Sequence, residues 1–381
     1  MGPNAAQAMS LLDPAILRGF EACRTNNAWP ERQKTWFGFR KGQERHNTSS
    51  SSSDPAGERF FDMRCETGQS SVHRARFLDE LVQLVPERVA HFGKRLDSVK
   101  EDEEGVVLKF GDGTTARHTA VIGCDGVKSR VRAMVLGAEH PATRPSFSGK
   151  YAYRGLIPMD RAAEMIGEEV SVNAMLYMGE GGHMLTFPIE HGKTMNVVAF
   201  QTKKDRKWED GKEWVQTVDR ETMLRDFEGW VPAVKKILQM MERTDLWALF
   251  DHPPAPTYHK GRICILGDSA HASTPHQGAG AGQAIEDALI MSRAMARAYT
   301  PEDVERAFAV YDRLRRPRSQ RQVRTAREGG ELYDLMLPGV GDNWEEVKRN
   351  LSTSRKWIWE HDLGADVGEA ERLMDEGRAR L

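Results

Sequence analysis

The stretch from residue 262 to residue 282 constrains the fold more than any other. Ile263, Cys264, Ile265 and Leu266 form a short apolar run of the kind that makes a buried strand, and Gly267-Asp268 ends it. Ser269, Ala270 and His271 follow. Beyond Pro275 and His276 come the small residues Gly278, Ala279, Gly280, Ala281 and Gly282, after which residues 284–291 read as a helix. A strand, a loop and a glycine-rich helix start bring bare backbone N–H groups close to whatever lies above them. The positive end of the helix dipole favours negative charge at that point.

A second strand end answers the first. Residues 120–124 are apolar, Asp125-Gly126 closes the run, and Ser129 and Arg132 fall on the helix expected next. An aspartate capping a helix after a strand is common. Two strand ends bearing glycine and aspartate, at the carboxyl ends of parallel strands, are where open α/β sheets bind ligands.

Other segments are plainer. Residues 71–85 predict an amphipathic helix with Phe77, Leu78, Leu81, Val82 and Val85 along one side. Gly111-Asp112-Gly113 fits a loose dinucleotide pattern but lies between alternating runs with no helix behind it, so it predicts a hairpin turn. The serine run of residues 47–57 predicts a flexible loop. From about 147 to 201 several alternating segments predict an antiparallel sheet, with Met175, Met178 and Met184 as packing residues.

Composition removes several classes of function. The chain of 381 residues carries 54 basic and 56 acidic side chains, which gives no general attraction to nucleic acid or anionic membrane. Residues 313–327 include seven arginines, but without interleaved aromatics they read as a solvated helix face, and no nucleic-acid partner is expected. His271 and His276 lack a third ligand nearby, so no metal is expected. The four cysteines are far apart, which suits reduced thiols, two of them in apolar runs. No apolar run approaches the ~18 residues that span a bilayer. These bounds point to a soluble, cytoplasmic protein.

Asp125-Gly126 with Ser129 and Arg132, followed by Gly267-Asp268, His271, Pro275 and the glycines up to Gly282, resembles the class A FAD-dependent aromatic monooxygenases, with the salicylate hydroxylase-like group nearest. His73-Arg74, Tyr153-Arg154-Gly155, Phe187-Pro188 and the pair Trp357 and Trp359 extend the resemblance over essentially the whole chain. It implies an α/β fold. A discontinuous FAD-binding domain of Rossmann-like, glutathione-reductase type would cover 1–145 and 255–330, an inserted antiparallel β-sheet substrate domain 146–254, and a helical tail 331–381. It also implies a hydroxylase of a phenolic or aromatic substrate (salicylate-like, or an aromatic polyketide of secondary metabolism). Such enzymes use FAD, O2 and NADPH or NADH through a flavin C4a-hydroperoxide. A homodimer is compatible with the resemblance.

Carried onto this chain, the resemblance gives Asp268 to the ribityl chain and Gly280, Ala281 and Gly282, with Gly278 and Pro275, to the flavin's pyrimidine edge. It gives Arg74 to the phosphate and ribityl region, and Asp125 to FAD and the pyridine nucleotide. His276 would lie beside the flavin at the substrate, with Arg154 and His183 projecting from the middle sheet. A surface ion pair for Arg154 and a satisfied packing role for His183 are the plainer readings. Phe187 stands where relatives that dearomatise their phenol carry a tyrosine, which favours ordinary hydroxylation. The family's opening β-α-β unit, with its Gly-x-Gly-x-x-Gly turn, is not in the sequence, and its lack predicts unpaired strand edges and exposed apolar surface. Two alternatives stay open from the residues: a truncated, inactive remnant that does not hold FAD, and a flavin oxidoreductase that only moves hydride.

Overall fold

The computed structural model describes residues 1–43, 57–203, 205, 207–209 and 211–378. The serine-rich loop expected at 47–57 lies outside them except for Gly57. The two strand ends singled out above do lie side by side. Ile263–Ile265 pairs in parallel with Val121–Gly123, and His259–Lys260 joins the other edge of Ile263–Ile265 in the antiparallel sense. The apolar runs explain this pairing: Ile263, Cys264 and Ile265 are buried among Val131, Val135, Phe308 and Tyr311.

A larger sheet takes eight strands: β1 (Thr35–Lys41), β2 (Arg59–Arg64), β3 (Ser146–Pro158), β4 (Met175–Gly179), β5 (Gly182–Ile189), β6 (Thr194–Thr202), β7 (Val215–Thr217) and β8 (Asp245–Asp251). Their order is β7-β8-β3-β6-β5-β4-β1-β2. It is antiparallel except where β4 runs parallel to β1. The boundary expected at residue 146 is therefore crossed. Strands β1 and β2, placed by sequence with the FAD-binding part, hydrogen-bond into this sheet, because Leu176 and Phe39 register opposite each other and share an apolar layer.

Side chains on a strand alternate between faces. One face carries Tyr153, Ile157, Met175, Tyr177, Met184, Met195, Val197 and Ala199, all buried against Val234, Ile237 and Leu238 of the helix Pro232–Met240. At the sheet's end Trp230 fills the space beside Gly42 and Gly179, where an added Cβ would come within 2.5 and 2.8 Å of its ring. The opposite face presents Arg154, Leu156, Leu185, Phe187, Val198, Phe200 and His183. It is only partly covered: Leu185, Phe187 and Val198 are half-buried and Arg154 and Leu156 are exposed.

The helices used below are α1 (Pro3–Leu12), α2 (Arg74–Val82), α3 (Arg130–Leu136), α4 (Asp268–His271), α5 (Gly280–Met295) and α6 (Pro301–Tyr333). Helix α2 starts three residues later than the amphipathic pattern, and its apolar side is a correction to the expectation. Phe77 is buried, yet Leu78, Val82 and Val85 are exposed, as are Val89 and Phe92 beyond it, because no described element packs on that side. The arginine-rich face of α6 is also not uniformly solvated. Arg315 and Arg318 turn inward, and Arg315 reaches both Glu286 (2.5 Å) and Asp287 (2.8 Å) of α5. Of the cysteines, all free, Cys23 and Cys264 are buried while Cys124 is exposed. Among the described residues no helix is long and apolar enough to cross a membrane.

Candidate active site

The turn after Ile263–Ile265 depends on Gly267, whose φ of +60° is costly for any residue with a side chain. Its N–H donates to Asp287 Oδ2 (3.0 Å), which also meets His271 Nε2 (2.5 Å), while Arg315 Nε donates to Oδ1 (2.8 Å). Burial pushes the Asp287 carboxyl upward, but His271 and Arg315 outweigh it and hold the pKa at about 2. A fixed carboxylate thus ties the strand end to α5 and α6. Sequence reasoning missed Asp287, although Glu286-Asp287 on an otherwise apolar helix was the available signal.

From this turn Asp268 projects as the exposed first residue of α4. The chain then runs through Pro275 and Gly278, the latter left-handed at φ +63°, into α5, whose N-terminus no side chain caps. Pro275, Gly278 and Ala281 are exposed and Gly280 is half-buried, so the first turn of a 16-residue helix opens outward. Gly282 lies against α1, where an added Cβ would sit 3.2 Å from Asn4 Nδ2 and 3.3 Å from Ala5 Cβ. Uncapped N–H groups, a helix dipole and one exposed carboxylate beside them form a cradle that fits the electron-rich pyrimidine edge and hydroxylated side chain of a flavin.

The other expected cofactor residues stand differently. Asp125 takes hydrogen bonds from Ser129 Oγ (2.5 Å) and the N–H groups of Arg130 (2.7 Å) and Val131 (3.2 Å), which makes it a cap for α3. Arg132, one turn on, is fully buried and donates to the carbonyls of Ala142, Pro253, Ser269 and Ala270, joining the two strand-end motifs. Burial pushes its pKa down to about 10. Arg74 is exposed at the start of α2, and that helix packs through Phe77 beside Ala5, Met9 and Ile285, next to the cradle.

On the larger sheet, register places Leu156, Asn196 and Phe187 in one row and Arg154, Val198 and Leu185 in the next. Arg154 lies over the Trp247 ring at 5.1 Å, and partial desolvation of its guanidinium lowers its pKa. This is an apolar floor with one guanidinium at its margin.

His183 and His276, expected at the substrate, are instead enclosed. His183 is fully buried, stacked on Phe200 (4.4 Å between ring centres), with Nδ1 against Asp334 Oδ1 (2.6 Å). Asp334 also takes Lys150 Nζ and Thr202 Oγ1. Burial would raise the Asp334 pKa, but His183 and Lys150 together hold it at about 2. His276 sits 5.1 Å from His183 and against Gly330 of α6, where an added Cβ would clash with its ring at 2.5 Å. Its carbonyl accepts from Arg355 Nη2 (2.9 Å). Burial pushes both imidazoles down, His276 well below its usual value, so both are neutral at physiological pH. Asp334, Lys150 and Arg355 carried no signal in the sequence, since each is far along the chain from its partners.

The FAD binding domain family matches residues 62–326. The 6-methylsalicylate 1-monooxygenase of Aspergillus terreus is 43% identical over 98% of this chain and 82% of its own length. A salicylate hydroxylase of Pseudomonas putida is 38% identical over 100% of this chain and 85% of its own. Among solved structures, a salicylate hydroxylase substrate complex superposes with a TM-score of 0.88 at 35% identity, over 97% of this chain and 89% of that one. Likeness on this scale lends no support to an inactive remnant. FAD and a reduced pyridine nucleotide are the enzyme's cofactor and co-substrate, and its substrate is an aromatic ring. The chain belongs to the FAD-dependent aromatic monooxygenases of the salicylate hydroxylase-like group.

Proposed function

We propose that this enzyme hydroxylates a small phenolic carboxylate, an ortho-hydroxybenzoate of the salicylate or 6-methylsalicylate kind. The observation that carries this reading is Arg154 at the edge of the floor made by Leu156, Leu185, Phe187 and Val198. The apolar floor holds the ring and excludes water, while the guanidinium pairs with a carboxylate or phenolate and favours the ionised phenol. Bound FAD, reduced by NADPH or NADH, supplies the oxygen-transfer chemistry with O2. Asp268, Gly278, Gly280, Ala281, Gly282 and Pro275 hold the flavin, with Arg74 toward its phosphate, whereas Asp125 acts by shaping α3. His183, on the same face as the floor, and His276 packed against it wall its covered end as neutral rings. Phe187 offers no hydroxyl to a phenolate, so aromatic hydroxylation is favoured over dearomatisation.

With β1 and β2 added to the sheet unit, the division into an FAD-binding part, a substrate part and a helical tail is part of the same proposal. The free cysteines support placement in the cytoplasm. The test is NADPH and NADH oxidation by the FAD-loaded chain with salicylate, 6-methylsalicylate, benzoate and phenol under 18O2. Label in the product, with phenolic acids preferred over phenol and benzoate, is expected. Nucleotide oxidation without labelled product would favour the hydride-only reading and sink this one.

A further inference from the structure

A cavity of about 600 Å³ lies between α4, α6 and residues 251–254, within the ~300–1,000 Å³ typical of small-molecule sites. The mechanism above does not use it. Two imidazoles line it, those of His252 and His271, which are 3% and 2% exposed. Neither ring nitrogen of His252 has a hydrogen-bond partner, and Nδ1 of His271 has none. The carbonyls of Val127 and Asp268 lie near the His252 ring without closing a hydrogen bond, so this ring sits between the two strand-end motifs. Burial, with Arg132 adding to it, pushes the His252 pKa down to about 3, so it is a neutral group that can donate one N–H.

The opposite wall is cationic. It carries Arg321, Arg324 and Arg327 against a single acid, Asp251. Arg327 is neutralised by Asp251, to which both its Nε and Nη2 donate. Arg321 lies over the Trp357 ring at 4.2 Å. Arg324 has only a loose 3.7 Å approach to the exposed Glu328. The Arg321 and Arg324 guanidinium groups, together with the one N–H that His252 can donate, suit a phosphate, which takes many hydrogen bonds and carries the opposite charge.

We propose that this cavity receives the phosphate-bearing half of the reduced pyridine nucleotide, next to the strand end that carries Asp268. The proposal rests on the monooxygenase reading, in which such a nucleotide must bind.

The test uses the full FAD-loaded chain. Dissociation constants of NADP+, NAD+ and inorganic phosphate are measured by calorimetry for wild type, Arg324→Glu and His252→Gln, alongside FAD retention and anaerobic flavin reduction by NADPH and NADH. Arg324 is exposed, so its variant keeps the test usable should His252→Gln fail to fold. At least a tenfold weakening of NADP+ is expected in Arg324→Glu with FAD retained. Weakening confined to NADP+ places the 2′-phosphate in the cavity, and equal weakening of NAD+ places the diphosphate there. Dissociation constants within twofold of wild type, or loss of FAD from Arg324→Glu, would overturn the proposal. A wild-type enzyme that neither nucleotide reduces would overturn the monooxygenase reading as well, which separates the two failures.

Discussion

The carboxylate of Asp334, just past the end of α6, gathers three side chains of the larger sheet, and replacing it with asparagine gives a quantitative test of the packing described above. It is fully buried and accepts from His183 Nδ1, Lys150 Nζ and Thr202 Oγ1. In Asp334→Asn the amide group faces an ammonium that is itself only 2% exposed, with Thr202 Oγ1 (2.8 Å) and the distant Glu331 Oε1 (3.7 Å) as its remaining acceptors. Breaking a buried ion pair from one side costs about 3–5 kcal/mol, and the surviving acceptors place this case near about 3. Lys150→Met in the same background removes the stranded charge, so the double variant is expected to regain about 2 kcal/mol relative to the sum of the single ones. Urea unfolding at a fixed excess of FAD measures this, because bound cofactor stabilises every variant alike only at constant concentration. Coupling below about 0.5 kcal/mol would refute the argument. A pH arm checks it independently. The folded pKa of Asp334 lies below the free value of 3.8, at about 2. Its contribution is therefore complete above about pH 4 and fades by ~2 kcal/mol as pH falls through 2, a loss that Asp334→Asn should not show.

Three further outcomes are expected. Arg154→Met should raise KM for a phenolic acid by at least about tenfold while FAD retention stays unchanged, since it removes a charge-assisted contact worth ~1.4 kcal/mol or more; an unchanged KM would remove Arg154 from the site. Gly282→Val should weaken FAD binding by about tenfold or more, because a branched side chain at 3.2–3.3 Å from Asn4 and Ala5 forces α1 away from the cradle; equilibrium dialysis with FAD reads this. Gly179→Ala should cost about 1–3 kcal/mol in urea unfolding, since its Cβ would meet Gln43 and the Trp230 ring at 2.8 Å, and a neutral result would mean that Trp230 has another place to go.

What could be read in advance depended on range along the chain. The parallel strand ends at Asp125 and Asp268 were legible because each apolar run stops at a Gly and Asp pair, although only the run at 263–266 is buried and Ile122 and Cys124 of the other stay exposed. The helix start at Gly280 was legible from its small residues. The entry of Thr35–Lys41 into the larger sheet was not, because alternation shows that a strand has two faces and is silent on which strand lies beside it. The outward stripe of α2 escaped for a related reason, as amphipathicity identifies an apolar side without naming its cover. His183 was noticed as an isolated histidine, but its partners Lys150 and Asp334 join it only through tertiary packing.

The larger sheet also has a consequence for how such enzymes diversify. Along β3, Tyr153 and Ile157 support the helical layer, while Arg154 and Leu156 face the open floor, and β5 and β6 repeat the division. Heritable variation at alternate codons can therefore reshape the floor without disturbing the residues that keep the sheet folded. If the floor holds the ring as proposed, a lineage built on this scaffold can explore new aromatic rings by single substitutions at Leu156, Leu185, Phe187 or Val198, with the neighbouring positions held under separate selection for packing.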